Sequence, residues 1–214
     1  HVQWMTAQAA RELLARQPDL RPVEPNENQP VPENAFDAYV AAGALLKANG
    51  GTAKAFDQDA GAEERAQVVD RNQGALRMLR EGFGRPYTPR KIEGPQIVLP
   101  ELAQFRDLAR LLACETEVLA GEGQGGRAVQ AALDGMQLAR DACKGGTVIH
   151  RLVGGAIEAI CTTAAEPVVP QLNADEAKAA VQRLAELDRT GVPLTETLES
   201  ERVMMRVALQ ELVN

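Results

Sequence analysis

The sequence predicts an all-α fold of about eight helices, and three observations carry that prediction. Aromatic residues make up 3% of the chain against 45% hydrophobic residues overall. Leu, Ala and Val must therefore build the core, a composition that suits closely packed helices better than a sheet. The twelve prolines fall mostly into two clusters, Pro18 to Pro32 and Pro86 to Pro100, with Pro167, Pro170 and Pro193 apart. Proline removes a backbone donor and clashes with the preceding turn, so each cluster marks a connection. The intervals between clusters carry helical periodicity and no sustained strand-like alternation.

Each element follows in order. Met5 to Arg16 reads as a short helix stopped by Gln17-Pro18, and RPVEPNENQPVPEN follows as an extended linker. Residues 1–33 thus form an N-terminal helix and linker, and residues 34–214 a single helical domain, repeat-like over 101–214. Asn34 can cap the next helix, with Asp37 three residues on at its positive end; that helix runs to about Asn49 and stops at Gly50-Gly51. A third spans roughly Ala62 to Glu81, with Val68, Ala75, Leu76 and Leu79 inward and Asn72 interrupting the apolar face. The remaining helices are expected over about 101–120, 124–143, 147–165, 174–190 and 194–213. Asn173 and Glu176 have the spacing of a capping box, and the short links should set successive helices antiparallel.

Composition also bounds function. A chain of 214 residues can bury a sizeable core without disulfide or metal staples. A net charge of −7 argues against a nucleic-acid partner. Three cysteines, Cys114, Cys143 and Cys161, cannot close a disulfide framework, show no CxxC spacing, and read as buried, inert thiols. The most apolar stretch, Val148 to Ala165, contains His150, Arg151 and Glu158, so it is expected to be a buried helix rather than a membrane span. His1 in place of Met is expected either from removal of an initiating segment or from a junction left by expression.

No HExxH, ExxH or P-loop signature occurs. The glycines of Gly121 to Gly126 lack the GK[ST] ending and read as a flexible turn. Candidate chemistry therefore rests on ionisable residues at apolar positions. Glu115 falls on the stripe Leu108, Leu112, Leu119, and Glu201 on Leu198, Met205, Ala208, Leu212. His150 lies with Val153, Ile157 and Cys161, and Glu158 sits behind the small residues Gly154 and Gly155. An unpaired buried carboxylate costs several kcal/mol, so each must find a cation, a metal, a hydrogen bond or a proton. If Glu115, His150, Glu158 and Glu201 converge, they could hold a divalent metal and activate water for hydrolysis. If they do not, they cap helix ends, pair with arginines or reach solvent. Gly154 and Gly155 are expected to permit close helix approach, and Glu158 to be mostly buried. Arg80, Arg85, Tyr87 and Arg90, with Arg77, Phe83 and Lys91, form the one basic, aromatic patch, a candidate surface for an anionic ligand or a protein partner.

Two resemblances add to this reading. Leu112 to Ala139, LACETEVLAGEGQGGRAVQAALDGMQLA, resembles a tetratricopeptide hairpin, with small residues where helices cross and a glycine-bearing turn. The order PENAFDAYVAAGALL, NQGALRMLREG, TVIHRLVGGAIEAI and ETLESE resembles an uncharacterised bacterial family. That family has a short N-terminal anchor or signal followed by an exported helical domain. The resemblance covers most of 30–205 through packing motifs, and implies an envelope location and no activity. The function expected is a non-enzymatic helical binding or scaffold module of an exported envelope protein. The alternative is a metal-dependent hydrolase using the carboxylates and His150.

Overall fold

The computed structural model describes residue 26 and residues 29–52, 60–90 and 99–213, without the side chains of 211–213. All regular structure among these residues is helical: α1 Ala35–Ala48, α2 Ala62–Arg71, α3 Gln73–Gly82, α4 Pro100–Gly121, α5 Gly125–Cys143, α6 Val148–Ala165, α7 Ala174–Arg189 and α8 Leu194–Val213, with a 3-10 turn at Val169–Gln171. The expected helix at Met5 to Arg16 and most of the linker after it lie outside the described residues.

The helix ends form where the caps predict. Asn34 accepts the Phe36 amide and also brackets Thr88, accepting its N–H and donating to its carbonyl, so one cap ties α1 to the loop after α3. Asn173 accepts the amides of Asp175 and Glu176 while Glu176 accepts the Asn173 amide, which satisfies otherwise open donors reciprocally. Pro100 opens α4, where a missing N–H costs nothing.

One boundary differs from the sequence reading. The helix expected over 62–81 is two segments joined at Asn72, whose φ of −113° and ψ of 19° leave the helical region. Asn72 is fully buried and its Nδ2 donates to the Val68 carbonyl at 2.8 Å. A short amide side chain that bonds the preceding turn competes with the backbone ladder and bends the helix there.

α4 is the centre of the packing. It contacts α1, α2, α5 and α6, and Leu102, Phe105, Leu108, Leu111, Leu112, Cys114 and Leu119 are all buried. The scarce aromatics are concentrated at one end: Phe36, Tyr39, Phe83, Tyr87 and Phe105 meet mostly edge to face, with centroids 5.6 to 6.0 Å apart. Edge-to-face pairs add to the stabilisation from burial alone. A second, smaller cluster joins Leu119, Val129, Leu133 and Val168 to Leu187.

The C-terminal helices depart from a simple succession of hairpins. α4, α5 and α6 pack on one another, but α7 packs chiefly on α5 and α8 on α6. The Pro167-to-Pro170 turn redirects the chain after α6, so sequence neighbours α6 and α7 are not main packing partners. Only Leu187 of α7 is buried.

Candidate functional site

The strongest polar constellation is a ladder of alternating charge across four helices. Arg80 of α3 donates through Nη1 and Nη2 to both Glu115 oxygens of α4, at 3.0 and 2.5 Å, and through Nε to Asp134 of α5 at 2.7 Å. Asp134 accepts a second charged bond, at 2.6 Å, from Arg183 of α7, which also donates to the Gln130 carbonyl and side chain. Both acids are largely buried, at 7% exposure each. Burial works against the Arg80 charge, but the bonds to Glu115 and Asp134 outweigh it and hold its pKa above the ordinary arginine value. Beside the ladder lies a cavity of about 260 Å³, lined by Arg80, Glu115, Arg127, Gln130 and Asp134.

Glu115 therefore faces inward as its stripe predicts, and its partner is an arginine. Asp134 was not singled out by sequence reasoning, although Asp134 and Asp141, seven residues apart on α5 beside Ala131 and Leu138, carried the same signal. Asp141 is 3% exposed and anchors a second network. It accepts from the Tyr39 hydroxyl at 2.7 Å, from Gln137 at 3.1 Å and from Lys144 at 2.6 Å. Burial first, and the Asp141 charge second, push the Tyr39 hydroxyl well above the usual tyrosine range. This pair clamps α1 to the end of α5.

The remaining candidates separate. His150 is buried and closes the start of α6: its Nδ1 accepts the Thr147 amide at 3.2 Å. Burial, with the Arg90 charge, lowers its pKa below the usual histidine value. Glu201 is half-buried and accepts the Val148 amide at 3.1 Å, so it caps the same helix from α8. Glu158 corrects the sequence reading outright. It is exposed, because the buried edge of α6 runs through His150, Gly154, Ile157, Cys161 and Ala164, and Glu158 falls outside it. Neither Glu115, His150, Glu158 and Glu201 nor any other set of three such ligands among the described residues is placed to hold a metal.

The glycine pair divides in the same way. A Cβ on Gly154 would lie 2.5 Å from Cys143 Sγ and 2.9 Å from the Ala139 carbonyl, whereas one on Gly155 would meet nothing within 4 Å. Of this pair, Gly154 is the one that permits the close approach of α6 to α5.

The expected basic surface is largely used internally. Arg80 belongs to the ladder, Arg90 pairs with Glu101 at 3.1 Å, and Arg77 pairs with Glu81. Tyr87 packs against Phe36 and Tyr39, and burial raises its pKa above the usual range. Arg85 is half-buried on the loop, and Lys91 lies outside the described residues. Cys114 and Cys161 are buried as expected, whereas Cys143 is half-buried; burial pushes Cys114 up to about 11 and Cys161 up to about 12, and raises Cys143. A thiol raised in this way carries little thiolate at neutral pH.

What the molecule does present is apolar surface on its C-terminal elements. α6 is only 28% buried, although it is long and apolar enough to cross a membrane by length and composition. The expectation that Val148 to Ala165 would be buried is thus corrected: its inner edge packs on α4 and α5, and its outer face is open. Val148, Leu152, Gly155, Ala156, Ala159 and Thr163 lie on that face, all exposed and none charged. Leu194, Leu198, Met205 and Leu209 of α8 are each more than half exposed. No family model, curated protein or solved structure matches this chain.

Proposed function

We propose that the chain is a non-enzymatic helical binding module, as expected of an exported envelope protein, that engages an apolar helix of a protein partner through α6. One observation carries this reading: among the described residues, every exposed large apolar side chain lies beyond residue 147. Single exposed apolar residues are ordinary on a protein surface, but a contiguous apolar face rimmed by polar residues is the mark of an interaction surface. The outer face of α6 has this form. Its small residues, Gly155, Ala156 and Ala159, allow a facing helix to approach closely, and Arg151 and Glu158 flank one side. The ionisable residues elsewhere support the same reading, since Glu115, His150 and Glu201 each hold a structural partner.

The test is a photo-crosslinking residue placed at Ala156 of the chain produced in a bacterial envelope. The reading predicts one discrete crosslinked protein, lost when Leu152→Glu is added, with the melting temperature unchanged. No crosslink, or a crosslink indifferent to Leu152→Glu, sinks it. A stoichiometric metal in the purified protein, lost on Glu115→Gln, would favour the hydrolase instead.

A further inference from the structure

We propose that Met5–Arg16 of this chain packs as a helix on the open face of α6 whenever no partner helix holds it. The proposal rests on the reading of α6 as a helix-docking face, and takes the occupant from the chain itself.

The open face has the form of a helix seat. At 3.6 residues per turn, Gly155, Val148, Ala159, Leu152 and Ala156 fall within about 100° of one another. Leu152 is 69% exposed, and a Cβ on Gly155 would meet nothing within 4 Å. One large side chain thus stands in a strip of small ones. The strip runs about 17 Å from Val148 to Ala159, at ~1.5 Å per residue. Charge borders it on one edge only, through Arg151 and Glu158.

The chain ahead of α1 approaches this face at its start. Asn34 donates to the Thr88 carbonyl at 2.9 Å, and a Cβ on Gly145 would lie 3.0 Å from Pro89. The start of α1 and the start of α6 therefore share one end of the molecule, where Val31 packs on the main core. Met5–Arg16 lies outside the described residues. Between Arg16 and Val31 stand Pro18, Pro22, Pro25 and Pro30. A proline-rich stretch of that length reaches about 45 Å at ~3.1 Å per residue, more than the ~27 Å length of α6.

The segment complements the seat. At helical spacing Ala7, Ala10, Leu13 and Leu14 share one side, and Gln8, Glu12 and Arg16 the opposite one. As a helix it measures about 18 Å, the length of the open strip. Its alanines suit close approach to Gly155, Ala156 and Ala159, and its leucines pack beside Leu152. The connection to Val31 is shortest with Arg16 nearest Val148, so the two helices lie antiparallel. A face this small falls below what separate molecules need for stable association. A tethered segment acts at an effective concentration of millimolar order, so it fills the face from within the chain.

Photo-crosslinking from Ala156 in the purified whole chain tests this. The crosslink should map to peptides within residues 5–16. Its yield should be the same at about 5 and about 50 μM, as a tethered contact requires. Leu13→Glu with Leu14→Glu should abolish it without altering any residue of the described core. No crosslink, a crosslink to another segment, one formed between two copies, or one indifferent to the paired substitution overturns the proposal. A partner crosslink in the envelope alongside any of these leaves the partner reading of α6 standing. An intrachain crosslink with no partner crosslink sustains this proposal and sinks the partner, so the two failures are told apart.

Discussion

Gly135 on α5 is the seat of the Cys161 thiol of α6: a Cβ added to Gly135 would collide with Cys161 Sγ. Both residues are buried, and the thiol also reaches the Ala109 carbonyl of α4 at 4.0 Å. Three helices therefore meet where one has no side chain and another has a small one. Overpacking such a contact costs about 1–3 kcal/mol. Gly135→Ala should lower stability by that amount, and adding Cys161→Ala should recover most of the loss by vacating the space. Denaturant midpoints of the two single variants and the double variant measure the coupling; simple additivity would contradict the contact.

Arg80→Met should destabilise the fold by about 2 kcal/mol. It orphans Glu115, whose side chain is 9% exposed, while Asp134 keeps Arg183. The figure lies below the usual cost of breaking a fully buried pair because water reaches Arg80, whose side chain is 37% exposed. Arg80→Lys should recover only part of the loss, since an ammonium cannot span both Glu115 oxygens and Asp134 in one planar fork. Full rescue by lysine, read from unfolding curves, would show that charge alone matters.

His150 predicts the direction of a pH effect. Its folded pKa lies below the ordinary value because of burial and the Arg90 charge. Below about pH 6.5 the unfolded chain therefore binds a proton that the native state resists. This contribution to stability is fully present above that pH and is lost as pH falls through the folded pKa. Proton entry would also remove the Nδ1 lone pair that accepts the Thr147 amide. Melting temperature should fall between pH 7.5 and 5.5, by a smaller margin in His150→Gln. Equal slopes for both proteins would refute the assignment.

The glycine pair on α6 gives opposite signs from adjacent residues. Gly155→Ala should stabilise by about 0.5–1 kcal/mol, because it removes unfolded-state freedom at an open helical position. Gly154→Ala should destabilise, since its methyl would press on Cys143 and the Ala139 carbonyl. Glu158→Ala should change the melting temperature little, as expected of an exposed side chain. Reversed signs for the two glycines would mean that α6 is rotated about its axis.

Much of the fold was legible because it is written locally. Proline clusters and caps depend on a few consecutive residues, and Asn34, Asn173 and Pro100 act where their chemistry places them. Glu115 was readable too, because its stripe of Leu108, Leu112 and Leu119 belongs to a helix buried nearly all round, so a small error in its phase changed nothing. Glu158 was not readable for the opposite reason. α6 is apolar on both its buried and its open faces, so hydrophobic pattern could not choose between them, and the choice was made by α4 and α5. Gly154 and Gly155 are identical in sequence terms and differ only in what lies across from them. The partners of Arg80 are separated from it by 35 and 54 residues, and those of Asp141 include Tyr39 at 102. Among the described residues, sequence determined which segments are helices and, apart from the break at Asn72, about where they stop, because backbone conformation is decided within a turn or two. Tertiary structure alone decided which carboxylate meets which arginine and which apolar face stays open, because those depend on distances between helices that no local spacing encodes.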